Sequence, residues 1–350
     1  MPPPGSMPPP GMFPPPMFMP PPPPRRERSF VRGIFMTLAT TIFGLSLTLN
    51  IYLLMASGFL SGTSSRSTSI VEGEANQKIA VLPISGAIFD DTSARFERWM
   101  SLVEKDSNVK AIVIAMDSPG GSVTASDEIW HRIRKYKTDH SSIPIVVAQS
   151  GLAASGGYYV SCAGDYIFAQ PSTLTGNIGV LLPQYNVSQL FDKWGIKETT
   201  ITSSGATFKN AGSMFQPEKP EDRAYLQDIA DKAFSQFKDV VGKGRQGKLK
   251  GKLEDIANGK IYTAADALAL GLIDDIGYTQ DAYDYAARQA GLTKPTIVKY
   301  HEPTSFLDTV MGKSNVNPPQ GSVNINGVNI DASAVRELTS PRLLYLWRGY

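Results

Sequence analysis

The chain has 350 residues, with 34 Lys and Arg against 32 Asp and Glu for a formal charge of +2, and a single cysteine. That balance excludes a nucleic-acid partner, which calls for a strongly basic domain, and one cysteine excludes an intrachain disulfide. Cys162 reads as a small buried hydrophobe.

Composition changes sharply along the chain. Residues 1–24 hold 14 of the 26 prolines and 5 of the 11 methionines. Proline lacks an amide donor and fixes φ, so this head reads as a solvated extension that forms neither helix nor sheet. Residues 33–65 contain no charged side chain, and the apolar run 33–60 exceeds the ~20 residues that span a bilayer. Arg25, Arg26, Arg28 and Arg32 precede it against Glu27 alone. Positive charge stays inside, which predicts a single-pass helix in the cell inner membrane, with residues 1–32 as a cytoplasmic tail and everything after Ser61 on the extracytoplasmic side. The run is too long for the roughly 7–15 apolar residues of a cleaved signal peptide. Residues 61–78 are small and polar and read as a linker.

From Lys78 onward, short runs rich in Val and Ile alternate with longer helical patterns. Strands are expected at 79–84, 110–116, 144–149, 166–170 and 178–182. Helices are expected at 94–104, 126–137, 188–194, 218–241, 264–270 and 280–290. The alternation predicts an α/β domain with a largely parallel sheet over 79–300. The basic run 243–252 (KGRQGKLKGK) reads as a solvated loop. In the extension 301–350, the apolar stretch 340–347 (SPRLLYLW) is expected to pack as a strand or at an interface.

Glycine-rich turns follow two of the expected strands, Asp117-Ser118-Pro119-Gly120-Gly121-Ser122 and Gly151-Leu152-Ala153-Ala154-Ser155-Gly156-Gly157. Glycine permits sharp turns and close backbone approach, and α/β sheets place ligands at the carboxyl ends of their strands. Ser155 would project into such a site as a nucleophile, with the Gly121 and Gly156 amides as oxyanion donors. Of the three histidines, His131 lies mid-helix, His140 in a polar turn and His301 at the start of the extension, so a Ser-His-Asp triad is not expected. Lysine serves as a base when burial lowers its pKa by ~3 units. Lys209, among small and apolar neighbours in 203–213 (SSGATFKNAGS), is the best candidate. No cofactor is expected, and no His, Cys and carboxylate cluster has metal-ligand spacing.

The ordered set D-S-P-G-G-S-V, A-A-S-G-G-Y-Y, T-G-N-I-G-V and S-G-x-x-x-K-x-A-G-S resembles the signal peptide peptidase A family of membrane serine peptidases, over about residues 79–290. The resemblance implies a Clp-protease/crotonase-like superhelix of ββα units following one transmembrane helix, and a Ser155/Lys209 dyad. It implies a peptide bound extended against strand edges at Gly120, Ser122, Gly179 and Val180. Asn177 stands where the family often has a serine that hydrogen-bonds the lysine, and its amide oxygen can accept the same bond. The implied substrates are apolar peptides such as signal-peptide remnants or membrane-protein segments. The implied assembly is a homo-oligomeric ring at the lipid bilayer, with active sites shared between protomers. Two other readings compete: a catalytically silent membrane scaffold of the same fold, and crotonase-type acyl-CoA chemistry, against which Ser155 with Lys209 argues.

Overall fold

The computed structural model describes residues 30–56, 67–300, 322–325, 328–331 and 343–348. The chain divides into two compact units, residues 1–61 and 62–350. In the first, α1 (Phe30–Ala56) contains a 22-residue stretch, Arg32–Leu53, with mean hydropathy 1.7, long and apolar enough to cross a membrane. Threonines along it turn their hydroxyls onto the preceding helical turn, as Thr37 does to the Gly33 carbonyl at 2.8 Å, so these polar groups need no partner from outside the helix. The Pro/Met-rich head lies outside the described residues.

The second unit begins with β1 (Ser67–Val71), β2 (Glu74–Ser85), α2 (Asp90–Lys105), β3 (Val109–Ser118), β4 (Gly120–Ser122) and α3 (Val123–Asp139). It continues through β5 (Ile145–Ala154), α4 (Gly156–Ser161), β6 (Tyr166–Ala169), β7 (Leu174–Gly176) and α5 (Ser188–Lys193). Then come α6 (Pro220–Gly244), α7 (Leu253–Ile256), β8 (Ile261–Thr263), α8 (Ala264–Ala269), β9 (Asp275–Ile276), α9 (Thr279–Gln289) and β10 (Pro295–Tyr300). The hairpin β11 (Ser322–Ile325) and β12 (Val328–Asp331) and the strand β13 (Leu344–Leu346) complete the described elements.

The main sheet has the order β1-β10-β2-β3-β5-β6-β9, parallel from β10 to β9, with β1 antiparallel at one edge. β7 splits from β6 to pair with the far end of β5, and β8 pairs antiparallel with β7. Residues 67–78, expected as linker, are largely taken up by β1 and the start of β2, because β10 offers each of them a free edge.

Side chains alternate across a strand, and both faces of this sheet are covered. Ala80, Leu82, Ile84, Ile112, Ile114 and Val147 meet Phe96 and Met100 of α2, Ile129 and Ile133 of α3, and Phe237 of α6 in one buried cluster. Ile79, Val81, Val113, Val146 and Ala148 face Ala282, Tyr283 and Ala286 of α9 in the other. Double coverage explains why these strands are continuously apolar. Cys162 lies in the first cluster, and burial pushes its thiol up to about 12, which keeps it an inert hydrophobe.

Local signals place the helices between strands. Ser122 caps α3 by accepting from the Ala125 amide, Thr263 caps α8, and α6 opens with Pro220 followed by Glu221 and Asp222. The basic run 243–252 corrects the reading of a solvated loop. Arg245 is 1 % exposed, and its guanidinium forks onto Asp274 at 2.7 and 3.0 Å while its Nε donates to the Gly271 carbonyl. Residues 178–182 also depart from expectation: they form no strand of the main sheet, and Leu181 makes a single bridge to Leu344.

Candidate active site

The two glycine-rich turns meet at the carboxyl ends of β3 and β5. Beyond β3 the chain reverses through Pro119 into β4, with the Ser118 hydroxyl accepting from the Gly120 amide at 3.0 Å. Gly120 has φ +91°, where an L side chain is strained, and a Cβ there would strike the Tyr345 carbonyl oxygen and come within 2.5 Å of the Gly156 nitrogen. A Cβ on Gly121 would lie 2.7 Å from two backbone atoms of Ile88. Ser122 donates to the Ile88 carbonyl and Gly120 accepts from the Ile88 amide, both at 2.8 Å. Successive amides of a strand point to opposite edges, so the Gly121 N–H faces away from Ile88.

β5 ends on the buried Ala153 and Ala154 and delivers Ser155, which is 1 % exposed with φ 54° and ψ −114°. Its N–H donates to the Gly176 carbonyl and its carbonyl accepts from Tyr159, each at 2.8 Å. A serine at a helix N-cap ordinarily caps with its hydroxyl. Here the positive φ turns the side chain away, and among the described residues the hydroxyl makes no cap hydrogen bond. A Cβ on Gly156 would meet Ser126 Oγ at 2.5 Å and Gly120 Cα at 3.1 Å, so the start of α4 and β4 touch backbone to backbone. This close approach brings the turn at Gly120 against the start of α4, next to Ser155 in the chain. With six residues α4 contributes individual N–H groups rather than a helix-long dipole.

The third wall comes from the chain after β7. Gly176 (φ +85°) and Asn177 (φ +51°) turn it sharply. Asn177 donates from its backbone to the Lys260 carbonyl at 2.7 Å and from Nδ2 to the Gly259 carbonyl at 2.6 Å, and among the described residues no donor is bonded to its Oδ1. Gly179 packs against Gly259 and Val180 packs on the core, while Leu181 bridges to Leu344 of β13, the strand that pairs with β4 on its other edge.

Comparison with known proteins bears on this constellation. The model for peptidase family S49 matches residues 137–293, and the Clp protease model matches residues 65–174. An Enterococcus faecium protein named "Putative signal peptide peptidase SppA" is 33% identical over 256 residues, 70% of this chain and 73% of that protein. The chain belongs to peptidase family S49. It is also 34% identical over 243 residues to Protease 4 of Salmonella typhi, 67% of this chain and 38% of the relative. Serine protease SPPA of the Arabidopsis thaliana chloroplast is 34% identical over 212 residues, 60% of this chain and 31% of the relative. The chain is therefore a serine peptidase with a Clp-protease-like α/β fold, and α1 is consistent with membrane anchoring.

Two features of this S49 site differ from what the sequence suggests. Lys209 lies on an exposed turn, its N–H bonded to the Ala206 carbonyl at 3.0 Å, and among the described residues its ammonium has no hydrogen-bond or ion-pair partner. A single protomer thus supplies neither the burial a catalytic lysine needs nor a contact with Ser155. The second feature is an aromatic pocket beside Ser155. Tyr159 and Phe237 lie with ring centroids 5.1 Å apart, and the Tyr159 hydroxyl donates to Asp127 Oδ1 at 2.6 Å. Burial first, and then that hydrogen bond and the Asp127 charge, hold the Tyr159 phenol far above its ordinary value. The Tyr-Tyr pair after Ser-Gly-Gly was the available signal for this pocket, but Phe237 lies about eighty positions on and shares no motif with it.

Proposed function

We propose that the protein is a membrane-anchored endopeptidase in which Ser155 is the nucleophile and Lys209 the general base, acting on apolar peptides such as signal-peptide remnants. One observation carries this reading: in a chain of family S49, a buried serine with positive φ, whose hydroxyl makes no cap hydrogen bond among the described residues, stands at the start of α4 where Gly120, Gly121 and Gly156 pack too closely to leave room for a Cβ without a shift of their neighbours. Ser155 Oγ attacks the scissile carbonyl while Lys209 Nζ takes its proton, and the Gly121 and Gly156 N–H groups hold the resulting oxyanion. Collapse expels the amine, which receives the proton from Lys209 and leaves an acyl ester on Ser155. Water, deprotonated by the same lysine, then releases the acid and restores the hydroxyl. Each oxyanion donor in such sites contributes roughly 2.7–4 kcal/mol to the transition state.

Exposure of Lys209 supports an assembly in which the lysine reaches the Ser155 of a neighbouring copy. Its surroundings favour the same reading, since Trp194, Ile196, Ile201, Phe208, Phe215 and Tyr225 are exposed apolar residues on the same stretch of chain. The arginines before α1 support a cytoplasmic tail and an extracytoplasmic peptidase unit. The test is hydrolysis of an apolar peptide by the full chain in detergent. Ser155→Ala and Lys209→Ala are each expected to abolish turnover, and undiminished hydrolysis by either variant removes that residue from the mechanism.

A further inference from the structure

β5 reaches Ser155 by changing partners. Its first half pairs with β6, from Val146 opposite Tyr166 to Gln149 opposite Ala169, and its end pairs with β7, from Leu152 opposite Leu174 to Ala154 opposite Gly176. On the other edge β3 stays alongside, but the register breaks: Met116 faces Gln149, and the next pair is Ser118 with Ala153. Ser150, Gly151 and Leu152 therefore stand against Asp117 alone. Bulges re-aim the strand that carries them, and this one lies directly before the segment that delivers the nucleophile.

Side chains hold the bulge where the ladder cannot. The Asp117 carbonyl is turned to the opposite edge, where it accepts from the Gly86 amide at 2.9 Å. Its side chain replaces it on the β5 edge, with Oδ1 accepting from the Leu152 amide at 3.0 Å. Ser150 Oγ donates to the Met116 carbonyl at 3.1 Å, and the buried Thr173 hydroxyl is shared between the carbonyls of Gln149, at 3.2 Å, and Ser150. Of these side chains, Asp117 is the one that takes hold beyond Gly151, on the stretch leading to Ser155.

The Asp117 carboxylate is exposed, and a single hydrogen bond at the surface adds little to global stability. Its contribution is registration. A residue with strained φ, such as Ser155, keeps that conformation only where its neighbours over-determine it. Leu152 opens the segment that does so, ahead of the Ala154 and Gly176 pair and the bond from the Ser155 amide to the Gly176 carbonyl.

We infer that Asp117 is a positioning residue of the peptidase, whose carboxylate sets the place of the Ser155 hydroxyl by holding the Leu152 amide at the bulge. The inference rests on Ser155 being the nucleophile.

The test uses the full chain in detergent, with active sites counted by saturating fluorophosphonate and hydrolysis of an apolar peptide read per labelled site. Asp117→Ala, and Asp117→Ser, whose hydroxyl is a bond too short to reach the amide, are each expected to lower kcat per labelled site by about tenfold or more with KM little changed. Asp117→Asn keeps an acceptor oxygen in the same place and is expected to hold kcat within about threefold of the unsubstituted chain. Hydrogen exchange in a Ser155→Ala chain reads the bond without turnover. There the Leu152 amide is expected to be protected, to lose protection when Asp117→Ala is added, and to keep it with Asp117→Asn. A merely structural role would cost labelled sites and leave each remaining site at full rate. That result, an unprotected Leu152 amide in the Ser155→Ala chain, or an Asp117→Asn chain as slow as Asp117→Ala would overturn the inference. Hydrolysis surviving in Ser155→Ala would instead refute the nucleophile assignment and leave the exchange result standing.

Discussion

Ser155 occupies a backbone conformation that costs of order 1–3 kcal/mol for a residue with a Cβ, and among the described residues its hydroxyl makes no cap hydrogen bond in return. Stability and activity should therefore separate at this position. Ser155→Ala is expected to lower hydrolysis by at least ~10³-fold while changing the unfolding free energy by less than about 0.5 kcal/mol, checked by kinetics and urea denaturation on the same sample. Gly121 is the contrasting case, because its missing Cβ makes room for the Ile88 backbone. Gly121→Ala is expected to cost about 1–3 kcal/mol from overpacking and to abolish turnover, since the amide proposed to hold the oxyanion is displaced with the strand. Normal activity in Gly121→Ala would remove that amide from the oxyanion site.

At the scale of elements, the end of α6 is tied to the approach to β9 by Arg245 and Asp274. Burial alone would raise the Asp274 carboxyl, but the Arg245 fork, Lys248 at 2.9 Å and the Ile167 amide outweigh it and hold the group below its ordinary 3.8. A depressed folded value means that the stabilisation is present above the unfolded carboxylate range and lost as pH falls through the folded value. Asp274→Asn is accordingly expected to lower stability at pH 7 by about 3–5 kcal/mol, because it leaves a buried guanidinium uncompensated. The gap to the unsubstituted chain should narrow below about pH 4 in urea melts run as a pH series. The same pair shows where sequence reading stops. Periodicity located α2, α3, α6, α8 and α9 to within a few residues, and the strands β2, β3, β5 and β6, because each carries its own apolar face. It could not tell that one cation in a basic run turns inward to a partner 29 residues on. It also missed β4, β7 and β8, whose three residues each are too few to show a period and which form only through distant partners. Ser155 and the two glycine turns were legible because strand-turn-helix punctuation is local. The aromatic pocket was not, since it joins α4 and α6.

Across the whole molecule, half of the proposed dyad is buried and half exposed, and the exposed half lies on a stretch of chain that carries several exposed apolar side chains. Burial of that surface between copies would bring dehydration and a neighbouring serine to Lys209 together. Head-to-tail contacts of this kind close into rings. If each site takes its serine and lysine from different protomers, co-assembly of equal amounts of Ser155→Ala and Lys209→Ala chains restores roughly a quarter of the sites; a dyad within one protomer restores none. The central claim is tested most directly by reacting the full chain with a fluorophosphonate and mapping the adduct by mass spectrometry. The account predicts modification at Ser155, slowed by at least ~10²-fold in Lys209→Ala. An adduct at another residue, or an equal rate in Lys209→Ala, would contradict it.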